Sequence, residues 1–466
     1  MTYAPSAPSP ALTPATERAI FTVCSYSHLP KALVFLQSVR GVCDTYVLLS
    51  ERDPGPERRA DLERRTGCRV LFMTDLGLAQ PWVMAFQYDV FEMSTALKPN
   101  GFVALFAAGY RQVLYFDTDI ECYGPLDPIF EELTRVDAVV PPHIDAPLPN
   151  DGHSPTNEDI LRSGQLNSGF LALNKTPETE QFARWWADRL NENCIFHINH
   201  YFFVDQFHLA MIVSFVKKLS IYHHPGANAA YWNLPQRAPF VAVGECGTLR
   251  GEPLIFFHYS GFAAEDLPRI SRHQNRYRLP NDHPILPLFA RYRDRLAAAE
   301  VALSDLDLSY SFTRYADGSP IPMADRRRVL LADPAVKAGL TDPFQGLGDL
   351  ASTNPLPPWP VPRAEVEAER AQAAAAFVCL GGPNSRICGG TRCLASSAHR
   401  DLGGLSVDSQ FYRLALNRPA AGAADPVEAL SLWGERAEAH FFGQIAQNHI
   451  PRRGTLGRDQ RRQRAE

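Results

Sequence analysis

The sequence predicts an α/β protein built on a mostly parallel sheet with helices over both faces. Short apolar runs alternate with stretches whose apolar residues recur at helical spacing, from Arg18 to about residue 260. The chain has 466 residues, 45% of them hydrophobic and 21% charged, which is ample to bury a core without disulfides or metals. The densest apolar stretch, Leu209 to Val216, is far shorter than the roughly 20 residues that cross a bilayer. A disordered chain and a membrane-spanning helical protein are therefore both excluded as expectations.

Residues 1–18 read as a flexible leader rich in Pro, Ser and Ala. Ala19–Cys24 is a buried strand, and Lys31–Val39 is a helix with Leu33, Leu36 and Val39 on one face. Strands follow at Asp44–Leu49 and Cys68–Met73. Val90–Ala108 is helical and is expected to break near Pro99. Gln112–Phe116 is a central strand and Gly169–Leu173 another. Thr176 then caps a helix opened by Pro177, with Phe182, Trp185, Trp186 and Leu190 facing the core. Leu254–His258 is a late strand, and Leu288–Leu303 a helix with Pro287 at its start. The expected organisation is a body over 19–280, a helical extension over 281–345, a proline-rich linker over 346–363 and a mainly helical or irregular region over 364–466.

The net charge of -5 gives no global attraction to nucleic acid. The exception is local: Arg452, Arg453, Arg458, Arg461, Arg462 and Arg464 make the C-terminal tail basic. Such a tail can hold anionic lipid, so peripheral contact with the inner face of a membrane stands beside the plainer reading of a solvated terminus. The 9 cysteines are odd in number and scattered, and Met1–Thr16 has neither the basic start nor the apolar block of a secretion signal. The expectation is a reducing cytoplasm and free thiols. Cys379, Cys388, Cys393 and His399 could ligate a structural zinc, but their spacing fits no common signature.

Five stretches carry candidate chemistry. Val113–Phe116 runs into Asp117-Thr118-Asp119, so an apolar strand ends in two carboxylates one residue apart. Ligands of open parallel sheets bind at such strand ends. Two carboxylates there repel unless a cation lies between them, and a hard ion such as Mg²⁺ or Mn²⁺ would also bridge a diphosphate. Asp305 and Asp307 share the spacing without the leading strand and read as a solvated face. Asn167-Ser168-Gly169 offers an amide, a hydroxyl and a bare backbone that a ligand could approach, and reads equally as a tight turn. Asp205-Gln206 sits inside an apolar run, where a buried carboxylate needs a partner or caps a helix. His258 ends a strand, as a metal ligand would, although a lone histidine is usually structural. His223 to Asn228 runs on to Tyr231-Trp232-Asn233, amides and aromatics that suit a sugar or a packed loop.

The order Tyr26, Lys98, Asp117-Thr-Asp119, Asn167-Ser-Gly169, Asp205-Gln206, Trp232-Asn233 and His258-Tyr-Ser-Gly261 resembles the retaining GT-A glycosyltransferases of family 8. These are the glycogenin and lipopolysaccharide galactosyltransferase type. A group of uncharacterised bacterial glycosyltransferases with Tyr-Trp-Asn-Leu and Phe-Phe-His-aromatic-Ser-Gly-Phe is closer still, and the resemblance spans residues 19–280. It implies a GT-A, Rossmann-like mixed sheet and a metal-dependent transfer from a nucleotide-diphosphate sugar, a UDP-sugar foremost. The acceptor hydroxyl would belong to a carbohydrate, a lipid-linked species or a protein, and the anomeric configuration would be retained. Asp117, Asp119 and His258 would hold Mn²⁺ or Mg²⁺. Tyr26 would stack on the base, and Lys98, Asp117, Thr118, Asn167, Ser168, Gly169, Trp232 and Asn233 would line the donor. Asp205 and Gln206 would be the catalytic pair, Asp205 holding sugar hydroxyls and Gln206 at the sugar face opposite the leaving group, with a double displacement through either as the alternative to attack from the leaving-group face. The family follows His-x-x-Gly with Lys-Pro-Trp, which clamps the diphosphate. Here Phe262-Ala-Ala-Glu265 follows, leaving Arg269, Arg272 or His273 as substitutes. The rival readings are a sugar nucleotidyltransferase and a catalytically silent binding protein.

Overall fold

The computed structural model describes residues 14–197, 202–244 and 246–352. The described residues all belong to one compact unit. The zinc candidates, the basic tail, most of the proline-rich linker and most of the leader lie outside the described residues. No helix among the described residues is long and apolar enough to cross a membrane.

The strands of the body are β1 (Arg18–Cys24), β2 (Asp44–Leu49), β3 (Arg69–Phe72), β4 (Gln112–Phe116), β5 (Ile120–Cys122), β6 (Ala138–Val140), β7 (Phe170–Asn174), β8 (Phe196–His197), β9 (Phe202–Phe203) and β10 (Leu219–Ile221). Three small strands, β11 (Phe240–Val243), β12 (Cys246–Leu249) and β13 (Glu252–Pro253), precede β14 (Phe256–His258). The main sheet has 7 strands in the order β10-β6-β7-β4-β1-β2-β3. All its pairings are parallel except those of β7, which runs against both β4 and β6. The expected mixed, mostly parallel sheet is present.

The twofold alternation of each strand feeds two cores. In β4, Val113 and Tyr115 join one face, and Leu114 and Phe116 join the other. Helices α3 (Pro81–Gln87), α4 (Val90–Ala108) and α7 (Pro177–Glu192) cover the first face. Helices α1 (Leu29–Ser38), α2 (Pro56–Thr66), α5 (Asp127–Glu132) and α10 (Leu286–Ala302) cover the second. Short α6 (Asn157–Ser163) and α8 (Val204–Leu209) edge the site described below, and α9 (Ile212–Phe215) packs on α7.

Helix α4 corrects one expectation, because it is unbroken through Pro99. Asp89 caps it by accepting from Glu92 N at 2.8 Å, and left-handed Gly109 closes it. The side chain of Asn100 donates to Ala96 O at 3.0 Å, and nearly the whole helix is buried. Capping and packing together outweigh the one hydrogen bond that proline removes.

The extension is bolted to the body by buried charge. From α11 (Met323–Leu330), Arg326 donates to Phe86 O at 2.8 Å and Tyr88 O at 2.7 Å, and also to Phe312 O. Its neighbour Arg327 pairs with buried Glu92 at 2.7 Å. Helix α12 (Pro334–Gly339) follows, the last α-helix among the described residues. Arg326→Met is expected to lower unfolding free energy by about 3 kcal/mol in a denaturant titration, because it strands buried carbonyls.

Candidate active site

The site forms where the strand order reverses. β2 lies on one side of β1 and β4 on the other, so loops leaving β1 and β4 diverge and open a cleft at their carboxyl ends. β4 delivers Asp117 to that edge. The antiparallel partner β7 begins there, with Phe116 opposite Phe170 and Asp117 N donating to Gly169 O at 2.8 Å. The Asn167-Ser168-Gly169 turn is thereby set against the acidic pair. Ile120 N then turns back to Asp117 O, and β5 pairs with β14 so that Ile120 faces His258. Register alone brings Asp119 and His258 together.

His258 Nε2 lies 3.0 Å from Asp119 Oδ1 and 3.9 Å from Asp117 Oδ2. One ligand atom from each of the three residues fits within a 4.8 Å span. Both aspartates stay partly open, with side chains 28% and 22% exposed, while His258 is buried. Burial works against the charge on Asp119, yet the adjoining His258 ring and the Lys31 ammonium hold its carboxyl well below the usual carboxylate range.

Beneath this triad Lys98, on α4, bridges Asp117 at 3.0 Å and Asp205 at 2.9 Å. Lys98 is 3% exposed and Asp205 1%. Burial disfavours the lysine charge, but the two carboxylates overcome it and push its pKa upward. Burial drives the Asp205 pKa up, and Lys98 opposes this. Tyr115 OH donates to Asp117 at 2.5 Å, from the same face of β4 as Lys98. Three carboxylates meet one ammonium within ion-pair distance here, with the Lys31 ammonium farther off, so an excess of negative charge remains. Like charges about 4 Å apart repel by about 4 kcal/mol at an effective dielectric constant near 20. Two carboxylates and an imidazole are donors that a divalent Mn²⁺ or Mg²⁺ accepts, and its charge would offset the excess.

The other expected residues fall around this centre. Gln206 Oε1 accepts from Ser168 N at 2.8 Å and Ser168 Oγ at 3.2 Å, and its Nε2 donates to Ser163 O. The space beside Gly169 is taken by His258, whose Cε1 lies 2.5 Å from where a Cβ would stand. The missing side chain serves the ring rather than a ligand. Trp232 wedges edge-on between His143 (5.2 Å) and His258 (5.1 Å), and its indole N–H is buried without a hydrogen-bond partner. Asn233 donates to His143 O and Asn228 O and accepts from Ala230 N, so it shapes its own loop. Thr118 sits buried between the aspartates.

Tyr26 leaves β1 at the same edge but joins no contact with the triad. Its N–H donates to buried Glu51 at 2.8 Å, its ring is 7% exposed, and its hydroxyl is buried without a hydrogen-bond partner. Burial and Glu51 push that hydroxyl up to about 12. Glu51 also accepts from Ser311 N at 2.8 Å, which ties the extension to the cleft rim.

The sequence reading missed His143 and Lys31 as site residues, and it offered Asn228 only within a stretch that suits a sugar or a packed loop. His143 follows β6 and Lys31 opens the helix after β1, so the signal was their place just past a strand's carboxyl end.

No protein-family model matches the chain. It is 28% identical over 171 residues to the uncharacterised protein YfnF of Bacillus subtilis strain 168, a stretch covering 35% of this chain and 53% of that one. The chain thus spans about half the length of that relative. Glycosyltransferase GlyE of Streptococcus pneumoniae TIGR4 overlaps 63% of this chain and 65% of its own at 15% identity and a TM-score of 0.34. Galactosyltransferase LgtC, solved with donor and acceptor sugar analogs, overlaps 60% and 95% at 14% identity and a TM-score of 0.35. Mouse xyloside xylosyltransferase 1 overlaps 52% and 96% at 13% identity and a TM-score of 0.31. Overlaps this loose leave the chemistry of this chain to be read from its own residues.

Gly169→Ala is expected to push the His258 ring off the aspartates and weaken Mn²⁺ binding about tenfold or more in calorimetry, with the melting temperature falling by only a few degrees.

Proposed function

We propose that the chain is a metal-dependent glycosyltransferase, moving a sugar from a nucleotide-diphosphate sugar to an acceptor hydroxyl with retention of configuration. The observation that carries this reading is the meeting of Asp117, Asp119 and His258 at the strand-order switch of a mixed sheet, over a surplus of negative charge. A divalent ion held by these three would supply positive charge against a departing diphosphate. Residues 19–280 would carry the reaction, with the 281–345 extension bracing the rim through Ser311 and Arg326.

The protein groups would act by fixing that centre. Lys98 holds Asp117 and Asp205 in one geometry and has Asp117, Asp205 and the Ser168 carbonyl around its ammonium, so its service to a donor is indirect. Asp205 is paired and buried, and Gln206 is committed to Ser168 and Ser163. Neither is free to act as a general base, as direct displacement from the opposite face would require. This supports attack from the face the diphosphate leaves, with a phosphate oxygen receiving the acceptor proton.

Lys31 is our choice for the cation that replaces the family's Lys-Pro-Trp. Arg272 is paired with Glu265 at 2.7 Å, and Arg269 turns to the Arg272 carbonyl. Helix α1 leaves the carboxyl edge of β1, and Ser38 near its far end accepts from Cys122 N at 3.1 Å. From Ser38 back to Lys31 is about 10 Å of helix, and from Cys122 back to Asp119 about 10 Å of strand. Lys31 is therefore level with the acidic pair, and it makes no ion pair among the described residues. His273, packed over Gly261, lies in the field of both Asp119 and Lys31.

Incubating the purified chain with a panel of nucleotide sugars and Mn²⁺ tests the reading. Release of nucleoside diphosphate is expected, and chelator should abolish it. Release of pyrophosphate would mean nucleotidyl transfer, and binding without release would mean a silent binding protein. Asp119→Ala is expected to lose transfer almost completely with its circular dichroism unchanged. Lys31→Met should raise KM for the nucleotide sugar about tenfold, the size of one charge-assisted contact, while Arg272→Met leaves it alone.

A further inference from the structure

We infer that a directional hydrogen-bond chain, running from the Gly164 carbonyl through His143, Asn167 and Asn228, fixes the tautomer of His258 so that its Nε2 lone pair faces the aspartates. His143, Asn167 and Asn228 are therefore positioning residues. The inference rests on the metal-site reading for its purpose, but the hydrogen-bond logic stands apart from it.

Each link determines the next. A carbonyl can only accept, so His143 Nδ1, bonded to Gly164 O, carries the hydrogen. Burial keeps this ring neutral, with its pKa pushed down to about 4, so its Nε2 must accept. It accepts from Asn167 Nδ2 at 2.9 Å. The Asn167 amide is pinned a second time, because its Oδ1 receives Gly169 N at 3.2 Å, and a backbone N–H can only donate. That Oδ1 also receives Asn228 Nδ2 at 3.2 Å. Asn228 Oδ1 is left facing His258 Nδ1 at 3.3 Å, so the hydrogen of His258 belongs on Nδ1. In the neutral ring the lone pair then lies on Nε2, 3.0 Å from the Asp119 carboxylate, an approach of two acceptors that a cation between them would relieve.

All four side chains are buried, so none of these bonds exchanges freely with water. Asn228 sits at φ +53°, a left-handed backbone that asparagine tolerates better than most residues. Asn233 holds that turn by taking the Asn228 carbonyl. The Trp232 ring closes over both histidines. Strain and packing are spent at a residue that touches no ligand, which is the pattern expected of a support for one.

The test reads the tautomer directly. In ¹⁵N-histidine-labelled protein at alkaline pH, long-range ¹H–¹⁵N spectra should show His258 with hydrogen on Nδ1. Asn228→Leu, which cannot accept, should move the hydrogen to Nε2 and weaken Mn²⁺ binding about 10- to 100-fold by calorimetry. Asn228→Asp, which still accepts from His258 Nδ1 but no longer donates to Asn167 Oδ1, should keep the wild-type tautomer. A wild-type spectrum with hydrogen on Nε2 overturns the inference, and so does a folded Asn228→Leu with unchanged tautomer and affinity. Should Asn228→Leu fail to fold, the wild-type spectrum and Asn228→Asp still decide. A wild-type Nδ1–H tautomer without Mn²⁺ binding would uphold the chain and sink the metal reading.

Discussion

Everything at the cleft follows from placing three carboxylates where the protein supplies one buried ammonium. Lys98 pairs with both Asp205 and Asp117. Removing Lys98 would leave Asp205 a buried charge without a counter-charge, a situation that costs several kcal/mol. Asp119 is then left with His258 alone within ion-pair distance. The site is thus graded: neutral and closed at its base, acidic and partly open at its mouth. Such a gradient would hold a cation at the mouth rather than deeper.

The sheet topology makes that gradient affordable. Among the strands of the main sheet only β7 runs antiparallel to its neighbours, and it brings the Asn167-Ser168-Gly169 turn to the same edge as the end of β4. A parallel strand in its place would have put this turn at the opposite edge. The β5–β14 ladder does the same for His258. Two antiparallel pairings inside a mostly parallel fold gather into one site residues that lie far apart in sequence.

The strands and the acidic pair were legible because their signals are local. β2 and β4 begin and end where the apolar runs do, and the helix from Thr176-Pro177 starts at its cap. Asp117 and Asp119 announced themselves by following an apolar strand. Pro99 misled, because a local rule says nothing about the burial that holds α4 together. Ala138–Val140 and Leu219–Ile221 are too short to show a period, yet both join the main sheet. Gly169 was recognised as a close approach, but the approaching group is His258, a contact set by register across 89 residues of chain (258 − 169 = 89). His143 and Asn228 were invisible as partners because no spacing rule links 143, 167 and 228. Only the fold makes them neighbours.

The same contrast explains why Lys31 was passed over for Arg269, Arg272 and His273. Those three were sought because they follow Gly261 in sequence, where the family carries its lysine. A phosphate does not require its counter-charge to come from one segment; it requires a cation at the right edge of the sheet. Helix α1 starts at that edge, and a lysine in its first turn adds its charge to the positive end of a helix dipole. Arg272, by contrast, is engaged with Glu265 on the exposed rim, where screening leaves such a charge little reach. A charge carried on a packed helix is also held more rigidly than one on a loop, so less of its attraction is lost to ordering on binding. A lysine on a packed helix can therefore serve the same electrostatic position as one carried on a loop.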